Sequence, residues 1–382
     1  MDTTTPSRRR LGLLTVGTAV LAGSLVLATS PAYAADPTPE QAWAEMTAQL
    51  DALVAEAQAD GVRMGVSVTD LSGSYGDASV TVGSEEQYKA ASLIKLPLLG
   101  LLMDDADHGT LSLDESITIP AGDDNIVGGS GTLRDRAFPL DITVRELMEL
   151  MVQISDNTAT NVLIDRAGGF DAVNEYIAAL GYEQMWLGRK MIHPALPPLQ
   201  ENWLNSEEVT DLLTKFYKHE ILSPASSEHI IDLMKGQLVD TKFGAVIPRE
   251  VLANKTGELG DVTHDSGIIL VPGREVALAA TTAFDPSRPR TEVDLYVQRA
   301  ATIVYEFVQQ PLAEEPVPSE EPTTAPTEAP VVEDPDAAED AADGKRLAAT
   351  GVEPALLAAG GLGVVLVALG AVALTARRRS RA

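Results

Sequence analysis

From Ala90 to Met103 the chain runs as an almost unbroken apolar segment, AASLIKLPLLGLLM, carrying one hydroxyl and one amine, Ser92 and Lys95. A helix that is apolar on every side is stable only when surrounded, so the segment predicts a helix that begins near Ser92 and lies at the centre of the fold. Pro97 fits in its first turn, where a missing N–H costs little. At a spacing of three residues, Ser92 and Lys95 share a face of that helix. A serine hydroxyl is a weak nucleophile at neutral pH unless a base takes its proton. A lysine sunk among apolar groups near a second cation can shed its charge and act as that base. Ser92 and Lys95 are therefore candidate nucleophile and base. The spacing alone has low specificity, because a serine near a helix start is commonly a cap.

The flanking pattern supplies layers to surround such a helix. Apolar residues at Ala42, Met46, Leu50, Leu53 and Val54 give a helical period over Pro39 to Ala59. Val66 and Val68, a turn at Ser72-Gly73-Ser74-Tyr75-Gly76, then Val80 and Val82 read as a hairpin. A largely helical stretch from about Leu113 to Met234 includes the amphipathic run Val144 to Ile154, and its glycine-rich interruption at Gly122 to Gly131 predicts a loop at the rim of a site. Three strands follow, over Lys255 to Leu259, Ser266 to Val271 and Val276 to Thr282. A closing helix spans Thr291 to Val308 with Val293, Leu295, Val297, Ile303, Val304 and Phe307 as its buried stripe. The expected class is α+β (α/β in some schemes): an antiparallel five-stranded sheet flanked by helices, plus a helical lobe.

Two further motifs accompany Ser92-Leu93-Ile94-Lys95, namely Ser155-Asp156-Asn157 and Lys255-Thr256-Gly257. In this order S-x-x-K, S-D-N and K-T-G resemble the set shared by class A β-lactamases and penicillin-binding proteins. The runs Ser155 to Asn161 and Asp265 to Ile269 extend the likeness, which covers about residues 40 to 310. The resemblance implies a β-lactamase/D,D-peptidase-like fold and an acyl-enzyme mechanism. In it Ser92 attacks a carbonyl, Lys95 accepts its proton, Ser155 passes a proton to the leaving nitrogen, and Lys255 sets the field over the site. It also implies a substrate-binding set of Asn157, Thr256, Gly257 and Glu258, in which Asn157 binds a substrate amide, Thr256 a substrate carboxylate, and the backbone N–H groups of Ser92 and Glu258 form an oxyanion hole. The implied substrate is a β-lactam or related amide, with a peptidoglycan stem peptide, or a wall module without catalysis, as alternatives. The pattern breaks in the run Leu187-Gly188-Arg189-Lys190-Met191, where Met191 takes the place of the omega-loop glutamate of true class A enzymes. A thioether takes no proton from water, so the resemblance predicts acylation with slow deacylation; Glu201 is the nearest substitute carboxylate.

Charge and the two ends bound the rest. A formal net charge of −28 over 382 residues argues against nucleic acid as a partner. With no cysteine, disulfides and thiolate metal sites are excluded, and the five histidines show no metal-ligand spacing, so neither metal nor cofactor is expected. Residues 1–34 read as a signal peptide: Arg8-Arg9-Arg10, an apolar run from Leu11 to Leu27, and Ala32-Tyr33-Ala34 for signal peptidase. Either the ordinary or the twin-arginine route is compatible. The catalytic domain is expected over 37–310 as a monomer. Residues 311–346 form an acidic, proline-rich linker. Residues 347–382 hold Leu347-Ala348-Ala349-Thr350-Gly351, an apolar stretch long enough to span a bilayer at about 20 residues, and a basic tail. This order resembles a sortase sorting signal, implying membrane attachment before transfer of Thr350 to the wall and display on the extracellular face.

Overall fold

The computed structural model describes residues 36–194, 197 and 200–313; the signal peptide, the sorting signal and all of the linker after residue 313 lie outside them. The chain opens with α1 (Pro39–Ala59), held at its start by a capping box in which Thr38 and Gln41 satisfy each other's backbone N–H groups. The hairpin β1 (Arg63–Asp70) and β2 (Ser79–Gly83) and the short strand β3 (Tyr88–Lys89) lead to a 3-10 turn over Ala91–Ile94 and to α2 (Lys95–Asp107). The lobe then contains β4 (Ser116–Ile119), β5 (Leu140–Thr143), α3 (Val144–Gln153), α4 (Asn157–Arg166) and α5 (Gly169–Ala179). It closes with β6 (Trp203–Leu204), α6 (Ser206–Tyr217) and α7 (Pro224–Lys235). Last come β7 (Leu252–Glu258), β8 (Thr263–Ile269), β9 (Val276–Ala283) and α8 (Arg290–Gln309).

The main sheet is five-stranded in the order β2-β1-β9-β8-β7, with every neighbour antiparallel. This is the expected α+β architecture. One core cluster joins α1 and α8 to one face of the sheet through Leu50, Val66, Leu278, Val297 and Val304. A larger cluster fills the lobe around Leu93, Leu96, Leu99 and Leu102 of the central segment, with Leu147, Leu163 and Phe216 packed about it. That segment is buried nearly throughout, as its uniform apolarity requires.

Three details differ from the sequence reading. Ser92 does not lie in the α-helix: the 3-10 turn precedes it, and Ala91 at φ 47° holds a left-handed conformation that an α-helix cannot continue through. The spacing still serves, since residues three apart eclipse one another in a 3-10 turn. The lobe is not purely helical. β4 pairs with β5 and β3 with β6 in two small sheets whose two- to four-residue strands are too short to show a period. Leu295 is 54% exposed rather than part of the buried stripe of α8. It falls two residues from both Val293 and Val297, which places it on the opposite side of a 3.6-residue helix.

Candidate active site

Ser92 sits half-buried in the 3-10 turn and lines a cleft with Ala91, Gly129, Ser130, Asn157, Met191 and Glu258. Strand β7 approaches this turn closely. A Cβ on Gly257 would stand 3.2 Å from the backbone nitrogens of both Ser92 and Leu93, so the glycine permits the approach. Ala91, which lines the cleft, and Ser155 are non-glycine residues in left-handed conformation, at φ 47° and 56°. Each costs about 1–3 kcal/mol, which the surrounding packing sustains.

Lys95 is 1% exposed, and its Nζ donates to Ser155 O at 2.7 Å, Ser155 Oγ at 3.0 Å and Asn157 Oδ1 at 3.1 Å. Lys255, fully buried, donates from Nζ to the same Ser155 Oγ at 3.0 Å and to Thr256 O at 2.9 Å. One hydroxyl thus receives two amines, which occupies its lone pairs and leaves its own hydrogen free to be donated. Burial pushes the Lys95 amine well below the ordinary lysine range, the neighbouring Lys255 charge pushes it further, and Asp156 partly opposes both. Lys255 is lowered to about 7 by burial and by the charge of Lys242, against the pull of Asp265 and Glu258. Asp265, buried beneath the strand and raised to about 6 by that burial, accepts from both Asn254 Nδ2 and Phe243 N.

Asp156, between the two site residues of its motif, is structural. Its carboxylate caps α4 through Ala159 N at 2.9 Å and accepts Leu133 N at 2.8 Å, tying the Ser155 loop to the glycine-rich rim. Asn157 is engaged at both ends, accepting from Lys95 and donating from Nδ2 to Gly128 O at 3.1 Å, which leaves one amide hydrogen for a substrate. Thr256 is 4% exposed beside these groups. Glu258 lines the cleft, and its partly exposed side chain pairs with Lys242 at 3.1 Å and Arg290 at 3.2 Å.

The omega-loop position is held rigidly. Asn161, one turn after Asn157 on α4, accepts Met191 N at 2.8 Å and donates to Met191 O at 3.2 Å. The Met191 side chain is 6% exposed and lines the cleft. Glu201 is committed elsewhere: its Oε1 accepts from Arg189 Nε at 2.8 Å and from Asn202 N at 2.9 Å, and it is not among the residues lining the cleft. Among the described residues no cluster of three or more histidine or acidic side chains is arranged to hold a metal. His264 is instead a core residue between Lys89 O and Thr282 N, lowered to about 4 by burial.

The sequence reading named the residues that meet at Ser155 and placed Asn161 and Asp265 in the runs that extend the likeness, but it gave those two no role and did not single out Lys242 or Arg290. The role of Asn161 had a signal, since Asn157 and Asn161 stand four apart on one helix face. Lys242 and Arg290 had none, because both lie outside the three motifs.

The chain belongs to the beta-lactamase enzyme family, whose sequence model matches residues 45–308. It is 26% identical over 208 residues to a beta-lactamase of Bacteroides uniformis, an alignment covering 50% of this chain and 69% of that protein. It resembles a leucine-to-glutamate mutant of PBP-A, solved as an acyl-enzyme complex with penicillin G, at 28% identity and a TM-score of 0.61 over 69% of this chain and 96% of that one. A beta-lactamase from Sphaerobacter thermophilus matches at 30% identity and a TM-score of 0.60, covering 66% of this chain and 95% of the other.

Proposed function

We propose that the protein is a serine hydrolase acylated at Ser92 by a β-lactam or related amide, with slow release of the acyl group. The single observation carrying this is the convergence of two buried amines, Lys95 and Lys255, on the hydroxyl of Ser155 beside the cleft that Ser92 lines. A neutral Lys95 takes the proton of Ser92 as its oxygen attacks the carbonyl carbon. The negative charge arising on the carbonyl oxygen is received by the backbone N–H groups of Ser92 and Glu258. Ser155, with its hydrogen free, gives it to the departing nitrogen and is replenished from the lysines it contacts. Asn157 and Thr256 hold the substrate's amide and carboxylate.

Release requires a base to activate water, and Met191 supplies none. Incubating the purified domain with benzylpenicillin and following intact mass over time tests the reading: an adduct of one penicillin, mapped to Ser92 and persisting for minutes or longer, is expected. Prompt turnover with no adduct overturns slow release, and no reaction at all overturns acylation. A second reading, a D,D-peptidase acting on peptidoglycan stem peptides, is favoured by Met191 itself, because a thioether suits an enzyme whose acyl group leaves to an amine rather than to water. Release of D-alanine from a stem-peptide analogue separates the two.

The proposed setting is the cell surface: export by the N-terminal signal, then sortase attachment at Thr350 by way of a transient membrane span. Mass spectrometry of wall-released protein tests it, with a mature C-terminus at Thr350 expected and an intact basic tail against it.

A further inference from the structure

Two cations flank the carboxylate of Glu258 at the end of β7: Arg290, which lines the cleft, and Lys242, which is buried and does not. Lys242, whose side chain is wholly buried, donates from Nζ to Glu258 Oε2 at 3.1 Å; Arg290 Nη1 lies 3.2 Å from Glu258 Oε1. Glu258, whose side chain is 35% exposed, and Arg290 line the same cleft as Ser92. Among the described residues Arg290 Nε is buried with no hydrogen-bond partner, and Asp294, its other neighbouring anion, is 3.9 Å away and already accepts from Thr263 Oγ1 at 2.6 Å. The remaining arginine of the cleft, Arg189, is paired with Glu201. The Lys242–Arg290 pair is thus built to receive a carboxylate, and the one it holds belongs to the chain itself.

Penicillins and stem peptides each carry a carboxylate close to the amide that Ser92 would attack. We propose that Glu258 is the specificity determinant of this cleft: an internal carboxylate that occupies the Lys242–Arg290 pair and must yield before an acyl donor's own carboxylate can use it. Its consequence is discrimination against acyl donors with a free carboxylate relative to those in which it is esterified or amidated. A buried lysine and a partly buried arginine bind a carboxylate by charge-assisted hydrogen bonds, so competition for them weighs heavily on binding. The inference rests on the proposed acylation at Ser92.

The test compares acylation of the wild-type protein and of Glu258→Gln by benzylpenicillin and by its methyl ester, with thermal melting to confirm folding. Glu258→Gln keeps the shape and removes the charge. It is expected to raise the acid-to-ester ratio of second-order acylation rate constants by about tenfold, a gain that shrinks as salt is added. Glu258→Thr, which removes the group altogether, should move the ratio the same way. A role confined to neutralising buried Lys242 would change both compounds equally, and that outcome, or a fall in the ratio, overturns the proposal. Calorimetric titration with benzylpenicilloate, which bears the carboxylate but cannot acylate, is the independent arm. Should neither protein form an adduct with either compound, the Ser92 reading fails on its own, and tighter penicilloate binding by Glu258→Gln still upholds the proposal while equal affinity overturns it.

Discussion

Among the groups at the cleft, Met191 is a thioether where the resemblance to class A enzymes places a carboxylate, and its backbone is already clasped on both sides by Asn161. Substituting Met191→Glu therefore places a base at a position whose main chain needs no rearrangement. General-base assistance contributes about 10²–10⁴-fold, so the benzylpenicillin adduct should be shortened by at least about 100-fold, read by time-resolved intact mass. An unchanged lifetime would show that water reaches the ester from another side. The pH behaviour follows from Lys95. Its amine must be neutral to accept a proton, and burial with the Lys255 charge favours the neutral form, so acylation should rise with pH through a midpoint below the ordinary lysine range. Removing the second charge by Lys255→Ala favours the protonated form of Lys95 and should move that midpoint to higher pH, whatever it does to the maximal rate. Much of this scale was legible beforehand: Ser92, Lys95, Ser155, Asn157 and Lys255 are marked by three short motifs. The depressed basicity of Lys255 was not, because the charge of Lys242 that lowers it and the charge of Asp265 that opposes the lowering both stand outside the K-T-G motif and reach it only through space.

At the level of elements, the site is a junction between the turn before α2, the N-terminus of α4 and the end of β7. Asp156 joins the second of these to the rim loop, and Gly131 makes room for it: a Cβ there would fall 2.1 Å from Asp156 Oδ2. Asp156→Ala removes a helix cap worth about 1 kcal/mol and strands the buried N–H of Leu133 at a further cost of about 1–3 kcal/mol. Urea unfolding should thus report a loss of about 2–4 kcal/mol, together with slower acylation because Ser155 and Asn157 flank the cap. The long elements were readable from period alone. α1 has the bounds its pattern implied, and the three late strands differ from theirs only at the ends. The 3-10 turn at Ser92 was not readable, since helical spacing of apolar residues does not distinguish an α-helix from the tighter turn that starts it.

For the molecule as a whole, the sheet separates two apolar clusters, one under α1 and α8 and one in the lobe. Leu50→Ala in the first and Leu99→Ala in the second, both at positions with no exposed surface, should each cost about 2–5 kcal/mol. The double variant should equal their sum within about 0.5 kcal/mol, as measured by urea unfolding; a larger departure would mean that the clusters share strain through the sheet. What the amino-acid order determined unaided was whatever depends on near neighbours along the chain: periods of 3.6 and 2, turn residues, and candidate catalytic groups three or fewer positions apart. What only the folded chain decided was which distant charges face one another. Lys242 and Arg290 meet on the carboxylate of Glu258 and Glu201 is held by Arg189, because electrostatic and hydrogen-bonding energies depend on separation in space, which order along the chain does not specify.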